Sequence, residues 1–287
     1  MKMILFIALM SLASVSFASL RVGTNSFAPE NSMWISVDDK AAGGITEEEF
    51  NNVLDKAFDS YKPIADQYGV TVINTRDWED GTVNSYASQS GKTWKVASFG
   101  GLARYKGMTS DAFALVACHE LGHHFGGAPT YSRYGSTWTA SEGQSDYYGT
   151  LKCMKHYLNG EDNVGYIANI NVPATVSTKC NAVYSNSDDA AICVRSSLAG
   201  LVLAQLLNEL GGGTTPVSFD TPDKKVVTAT LYNSYPAVQC RLDSYVAGAL
   251  CNKPADELTS ATSVLAGSCN TSQGDVVGVR PLCWFKP

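Results

Sequence analysis

Eight cysteines constrain the fold of this 287-residue chain more than any other feature of its sequence. The chain begins with an early lysine, an apolar run over residues 3–12 and small residues that end at Ala18. This order is typical of a cleaved secretory signal peptide, so we predict residues 1–18 as the leader, Ser19 as the mature N-terminus and a secreted or periplasmic protein. An even number of cysteines in an exported chain indicates several disulfides. The alternative, a cysteine-rich zinc site, lacks any CxxC spacing here.

Four of the cysteines lie in a predicted helix and in the tail that follows it. Cys240 and Cys251 are eleven residues apart, close to three helical turns, so they would lie on nearly the same face of a helix. Cys269 and Cys283 follow in an irregular tail that could attach to that face. We predict the pairs Cys251–Cys269 and Cys240–Cys283, and we expect Cys118 to be buried or bridged.

The charge of the mature chain limits its partners. Removal of the leader takes away one lysine and leaves 20 basic and 27 acidic side chains. A nucleic-acid partner is therefore not expected. The apolar run of the leader is shorter than the roughly 20 residues of a membrane span, and we expect no span in the mature chain.

Hydrophobic periodicity predicts an α+β chain of helices and short strands. Thr46 and Glu49 form a capping-box pattern, and apolar residues then recur at three-to-four spacing, which predicts an amphipathic helix bent near Pro63. Turn residues separate the segments that follow. The predicted strands lie at residues 70–74, 82–87 and 93–100, further helices at 141–158, 190–212 and 238–251, and loops at 126–141 and 159–187.

The sequence HELGH lies in another predicted helix, which has Ser110 or Asp111 as its N-cap. His119 and His123 are four residues apart, so they lie on one face, one turn apart, and can reach a single metal ion. Glu120 lies beside them and is placed to take a proton from metal-activated water. The motif therefore predicts a metal site with a general base.

A third metal ligand is predicted on the next helix. Glu142 follows the HELGH motif after a loop rich in glycine, serine and threonine, and Asp146 follows one turn later. Two imidazoles and one carboxylate are typical of a catalytic zinc site, which keeps a position open for water. Asp146 can accept the second ring N–H of either motif histidine and so orient that ring. The remaining histidines, His124 and His156, are expected to pack or lie at the surface.

HExxH followed by ExxxD on a second helix resembles the gluzincin zinc peptidases. The resemblance covers about residues 46–158 and 235–241. It implies a zincin-like α+β fold, in which a small sheet has its edge strand, here residues 93–104, packed on the HExxH helix and able to pair with an extended substrate. A mainly helical, disulfide-stapled part would follow. We therefore predict a catalytic core at residues 19–187 and a C-terminal extension at 188–287 that completes the site.

A later element resembles the CAAX-prenyl-protease and heat-shock membrane-protease branch. That branch carries HPxxxxR, and this chain has Tyr235 in place of the histidine and keeps the Pro and Arg241. The resemblance implies that Tyr235 stabilises the oxyanion of the tetrahedral intermediate and that Arg241 braces the site or the substrate. The alternative is an ordinary turn before a helix. Tyr131 and Tyr134 are competing oxyanion donors.

These motifs together predict a secreted zinc-dependent metallopeptidase. One catalytic zinc would be held by His119, His123 and Glu142, and peptide bonds would be hydrolysed by zinc-activated water with Glu120 as general base. The expected partner is a protein or peptide substrate, including cell-wall peptides. Two alternatives stay open: a zinc amidase acting on cell-wall or other non-protein amides, and a catalytically silent, disulfide-rich binding protein.

Overall fold

The computed structural model describes residues 25–40, 42–133 and 136–287. The predicted leader, Ser19 and Tyr134 lie outside the described residues. The strands are β1 (Asn25–Ser26), β2 (Thr71–Asp77), β3 (Ser85–Ser90), β4 (Thr93–Phe99), β5 (Thr130–Arg133) and β6 (Ser136–Ala140). The helices are α1 (Glu47–Tyr68), α2 (Gly100–Ala103), α3 (Ser110–Phe125), α4 (Glu142–Tyr148), α5 (Met154–Leu158), α6 (Asn163–Ala168), α7 (Ala174–Val183), α8 (Ser187–Leu210) and α9 (Val238–Leu250). A π-helical turn, Gly149–Cys153, joins α4 to α5, so the predicted helix at 141–158 is confirmed.

Helix α1 begins with the predicted capping box. The Thr46 hydroxyl accepts a hydrogen bond from the Glu49 N–H at 3.2 Å, and the Glu49 carboxylate accepts one from the Thr46 N–H at 2.8 Å. The apolar face packs on α3, where the Phe50 and Phe113 rings lie 5.2 Å apart. Full burial of a phenylalanine contributes about 1.5–3 kcal/mol to folding, so this face fixes α1 against α3. Pro63 lies inside the helix, and the bend there stays a prediction.

The main sheet has the strand order β1-β3-β4-β2. Strand β4 pairs in parallel with β2 and antiparallel with β3, so the prediction that residues 93–104 form a sheet edge is wrong. Side-chain periodicity shows that a segment is a strand but does not show which strands flank it. The outer side of β3 is covered by β1, with Asn25 opposite Ala87 and Ser26 opposite Tyr86.

Helix α3 is buried along almost its whole length, and its buried residues include the polar side chains of the HELGH motif. Its N-cap is Thr109, whose hydroxyl accepts from the Ala112 N–H, so the predicted N-cap at Ser110 or Asp111 is wrong by one or two residues. A disulfide joins Cys118 of α3 to Cys153 of the π-helical turn, which confirms that Cys118 is bridged.

Residues 159–187 were predicted as a loop but contain two helices, α6 and α7. Helix α6 follows Asp162, whose carboxylate caps its first turn, and α7 follows Pro173. Both helices are too short for an apolar period to show in the sequence, so their only signals are these residues at their starts. The Cys180–Cys193 disulfide fastens α7 to α8.

The C-terminal part packs directly on α3 and α4. Helix α8 is long and apolar enough to cross a membrane, but 78% of its most apolar window is buried in the protein. Its first turn contains the predicted boundary at residues 187/188, and it packs against α3 and α9. The tail is irregular apart from the short turn Thr271–Gln273. The disulfides Cys240–Cys283 and Cys251–Cys269 confirm both predicted pairs.

Candidate metal centre

Two histidines and a glutamate converge between α3 and α4. His119 Nε2 lies 3.2 Å from Glu142 Oε2, and His123 Nε2 lies 3.6 Å from Glu142 Oε1. One potential ligand atom from each of the three residues lies within 4.8 Å of the other two. All three side chains are buried. These residues could therefore hold a metal ion.

The two helices meet closely enough to bring these residues together. A Cβ atom on Gly122 would lie 2.9 Å from the Ser145 Cα, so only glycine permits this approach. Ser141 is the N-cap of α4 and places Glu142 at its first position. The ligand set thus follows from a helix crossing and a helix cap.

Five buried polar atoms at this point have no hydrogen-bond partner within the described part of the chain. They are His119 Nε2, His123 Nε2, Glu142 Oε2 and both carboxylate oxygens of Glu120. A buried polar group left unpaired costs about 1–3 kcal/mol, so five together call for a further component. Two imidazole nitrogens and a carboxylate oxygen are metal ligands, and the donor set therefore fits a metal ion.

Asp146 and Arg241 orient the first histidine. The Asp146 carboxylate lies 2.8 Å from His119 Nδ1, which leaves Nε2 facing the cluster. The Arg241 guanidinium donates to both oxygens of the same carboxylate, at 2.7 and 2.8 Å. The structure thus places Asp146 beside His119 and Arg241 behind Asp146.

The second histidine is oriented by groups that the sequence did not reveal. His123 Nδ1 lies 2.9 Å from the Ala140 carbonyl and 3.0 Å from the Ser145 hydroxyl. A backbone carbonyl has no sequence signature. Ser145, three residues after Glu142, could have been found from its helical position, because residues three apart share a helix face.

Burial and neighbouring charges set the titration of the site. Burial raises the pKa of the Glu120 carboxyl to about 8, opposed by His119 and supported by Glu142. Burial also acts to raise the pKa of Asp146, but Arg241 and His119 outweigh it and hold that pKa well below its usual range. Asp146 therefore stays ionised.

The structure brings Tyr235 and Arg241 together at the edge of the cluster. The Arg241 guanidinium carbon lies 5.7 Å from the centre of the Tyr235 ring. The Tyr235 hydroxyl lies 2.7 Å from the Ser26 carbonyl and can donate to it. The Tyr131 hydroxyl donates to the Asn25 side chain. Both phenols therefore face the strand β1.

His124 is a packing residue, as expected. Its ring is stacked between Trp94 and Trp138, at centroid distances of 5.2 and 5.1 Å. Both ring nitrogens have partners: Nδ1 lies 3.1 Å from the Gln89 amide, and Nε2 lies 3.1 Å from the Lys95 carbonyl. It is turned away from the metal centre.

Comparison with protein-family models, with curated proteins and with solved structures gave no match for this chain. The resemblance to gluzincins therefore rests on the motif residues alone. To these the geometry adds one fact, that residues of α3 and α4 meet in a buried cluster with unpartnered ligand atoms.

Proposed function

We propose that this protein is a secreted, zinc-dependent metallopeptidase of the gluzincin kind with a zincin-like core. One observation carries the proposal. His119, His123 and Glu142 turn unpartnered, buried ligand atoms toward one point, beside the equally unpartnered carboxylate of Glu120. A purely structural polar cluster would satisfy these atoms within the protein.

The donor set favours zinc. Calcium and magnesium prefer sites made of oxygen ligands, whereas two imidazoles with one carboxylate are typical of catalytic zinc. When bound, zinc would supply activation of water and polarisation of a carbonyl group. A structural zinc site would have four protein ligands, and the cluster offers three.

The side chains around the cluster have separate roles in amide hydrolysis. Glu120 takes a proton from the attacking water and gives one to the leaving nitrogen. Asp146 keeps His119 in the tautomer that presents Nε2, and Arg241 keeps Asp146 in place. Tyr235 donates a hydrogen bond to the carbonyl oxygen of the substrate.

A peptide is the substrate that suits the site best. The outer side of β3 already pairs antiparallel with an extended piece of chain, β1, and the next residue, Phe27, contacts His119. Addition of a strand to a sheet edge uses main-chain hydrogen bonds, which every peptide offers and other amides do not. Proteins and cell-wall peptides are therefore the proposed substrates.

Disulfide content supports export. The described residues contain four disulfides and no free cysteine. Such bonds form and persist in oxidising compartments. We place the protein outside the cytoplasm, secreted or periplasmic.

The test is zinc content and casein hydrolysis of the oxidised mature protein. The variants are Glu120→Gln and, as a matched control, Glu48→Gln at an exposed position of α1. We expect one zinc per chain in all three proteins. Hydrolysis should fall by about 10²–10⁴-fold in Glu120→Gln, since general acid–base catalysis contributes that much, and should be unchanged in Glu48→Gln.

Other outcomes separate the alternatives. Zinc in every protein with turnover of non-protein amides only would favour the amidase. Zinc in every protein without any turnover would favour the binding protein. Absence of zinc would remove the metal centre itself.

A further inference from the structure

A short N-terminal segment, Asn25–Ala28, which we call the strap, lies against the metal centre. The side chains of His119, Glu120 and His123 are 0% exposed and that of Glu142 is 4% exposed. All four residues of the strap are buried as well. A substrate could not reach the ligands while the strap is in this position.

The strap is held in the way that an extended peptide would be. It runs antiparallel to β3, and the Phe27 N–H donates to the Ser85 carbonyl at 3.1 Å. The Asn84 side chain then binds both main-chain groups of Ala28, accepting from its N–H and donating to its carbonyl, each at 3.0 Å. This recognition depends on the backbone and not on the identity of the side chains.

The groups that the proposed function assigns to a substrate contact the strap instead. The Tyr235 hydroxyl can donate to the Ser26 carbonyl at 2.7 Å. The carbonyl of the Ser26–Phe27 peptide bond thus has the proposed oxyanion donor as its partner. Arg241 donates to the Phe27 carbonyl at 2.7 Å, and the Phe27 ring meets His119 edge-on.

We propose that the strap occupies the cleft in which a peptide substrate binds, so that the folded chain carries its own tethered, substrate-like inhibitor. This inference rests on the proposed function. The cleft would open when the strap leaves the edge of β3 and a peptide pairs there in its place.

The chain next to the strap allows such a displacement. Residues 29–32 are exposed, whereas residues 25–28 are buried, and one side-chain hydrogen bond, from Asn31 to the Val83 carbonyl, holds this exposed stretch against the chain before β3. Beyond residues 29–32, Ile35 is fixed by hydrogen bonds with Arg104 and Gly81. On the C-terminal side of the strap, release therefore needs movement of only a few residues.

The experiment measures binding of a probe in the cleft and release of the strap in the same sample. The probe is a fluorescent peptide hydroxamate added to the zinc-loaded full chain, and hydrogen exchange is measured at the Phe27 and Ala28 amides. The loosened variant is Asn25→Ala, which removes the hydrogen bonds of the strap's own side chain with Thr139 and Tyr131. The matched control is Asn74→Ala on β2, where the same side chain bonds to the Val96 carbonyl and not to the strap.

We expect hydroxamate binding to raise exchange at both strap amides in the wild type. Asn25→Ala should bind the probe about tenfold more tightly, because two hydrogen bonds that held the strap alone are gone, and Asn74→Ala should bind as the wild type does. If Asn25→Ala does not fold, the wild-type exchange experiment still decides. Tight binding of the probe while both strap amides stay protected would overturn the inference, as would failure of the probe to bind either the wild type or the loosened variant.

The failure of this inference differs from the failure of the proposed function. Displacement of the strap by the probe without hydrolysis of any peptide would support the strap and contradict the peptidase. Hydrolysis of peptides with both strap amides protected throughout would support the peptidase and contradict the strap.

Discussion

Helix α3 contributes to two buried polar clusters that differ in one respect. Near its N-terminus, Arg195 donates to both oxygens of Asp111 at 2.9 and 2.7 Å, to Glu161 at 2.6 Å and to Asn163 at 2.8 Å. In its C-terminal half, the candidate metal centre keeps five atoms without a hydrogen-bond partner among the described residues. The first cluster is complete within the protein, and the second is not.

This difference distinguishes a structural role from a functional one. A buried ion pair is strongly destabilising to break, because one charge is then left uncompensated. Unpartnered buried atoms cost free energy already in the folded chain, so they are retained where another component binds. Mutations in the Arg195 cluster should therefore change stability, and mutations in the metal centre should change metal binding.

The largest effect should come from removal of a ligand. In His123→Ala we expect zinc content and hydrolysis to fall to background, because two ligands cannot hold the ion against competition from water. The matched control is His156→Ala, which removes a partly buried histidine whose Nε2 lies 3.7 Å from Asp256 Oδ1. Elemental analysis of both proteins after dialysis makes the comparison, and stoichiometric zinc in His123→Ala would show that the ligand set is different.

The second-largest effect should come from the Arg195 cluster, which is complete within the protein. Arg195→Met should lower the free energy of unfolding by about 3–5 kcal/mol, because Asp111 is left buried without its partner. Arg76→Met, which removes the half-exposed pair with Asp55, should cost about 0–1 kcal/mol. Urea unfolding under oxidising conditions measures both. A loss of zinc in folded Arg195→Met would erase the distinction between the two clusters.

Zinc binding should stabilise the folded chain, because the ion would be the missing partner of the unpartnered atoms in the metal centre. At 100 times its dissociation constant, zinc should raise the free energy of unfolding by about 2.7 kcal/mol, provided that it binds the folded chain alone. The same titration on His123→Ala should give no change. Thermal unfolding with zinc and with a chelator tests this, and equal stabilisation of both proteins would place the ion elsewhere.

The smallest effect should come from the groups that orient the ligands. Asp146→Asn should weaken zinc binding by about 10–100-fold, since the His119 ring loses its anionic partner. Asp243→Asn, a half-buried carboxylate bonded to Gln239, is the control and should leave the affinity unchanged. Competition with a chromogenic chelator gives both dissociation constants, and an unchanged affinity in Asp146→Asn would mean that His123 and Glu142 dominate binding.

The sequence was most informative where local geometry decides the outcome. The four-residue spacing of His119 and His123 fixes their common face on any helix, and the small residues after α3 mark the loop before Glu142. Cysteine spacing likewise placed Cys240 and Cys251 on one helix face to which the tail attaches, but it did not distinguish the observed pairs, Cys240–Cys283 and Cys251–Cys269, from the crossed arrangement.

The sequence was least informative where the outcome depends on partners distant along the chain. Strand β1 has two residues and therefore no period, and nothing in β4 shows that β2 joins it on the open side. The Ala140 carbonyl orients His123 through the backbone, which any residue would supply. Arg241 was suggested by a resemblance, but its bond to Asp146 becomes visible only once α9 is packed on α4.

The disulfide between Cys118 and Cys153 closes a covalent ring around the site. The two cysteines are 35 positions apart in the sequence. All proposed ligands lie between them, together with Glu120 and Asp146. A single cut of the chain between β5 and β6 would therefore separate the histidines from Glu142 along the sequence but leave them in one molecule. Such a nicked protein would run as one band without reductant and as two with it, and could still assemble all three ligands around one ion.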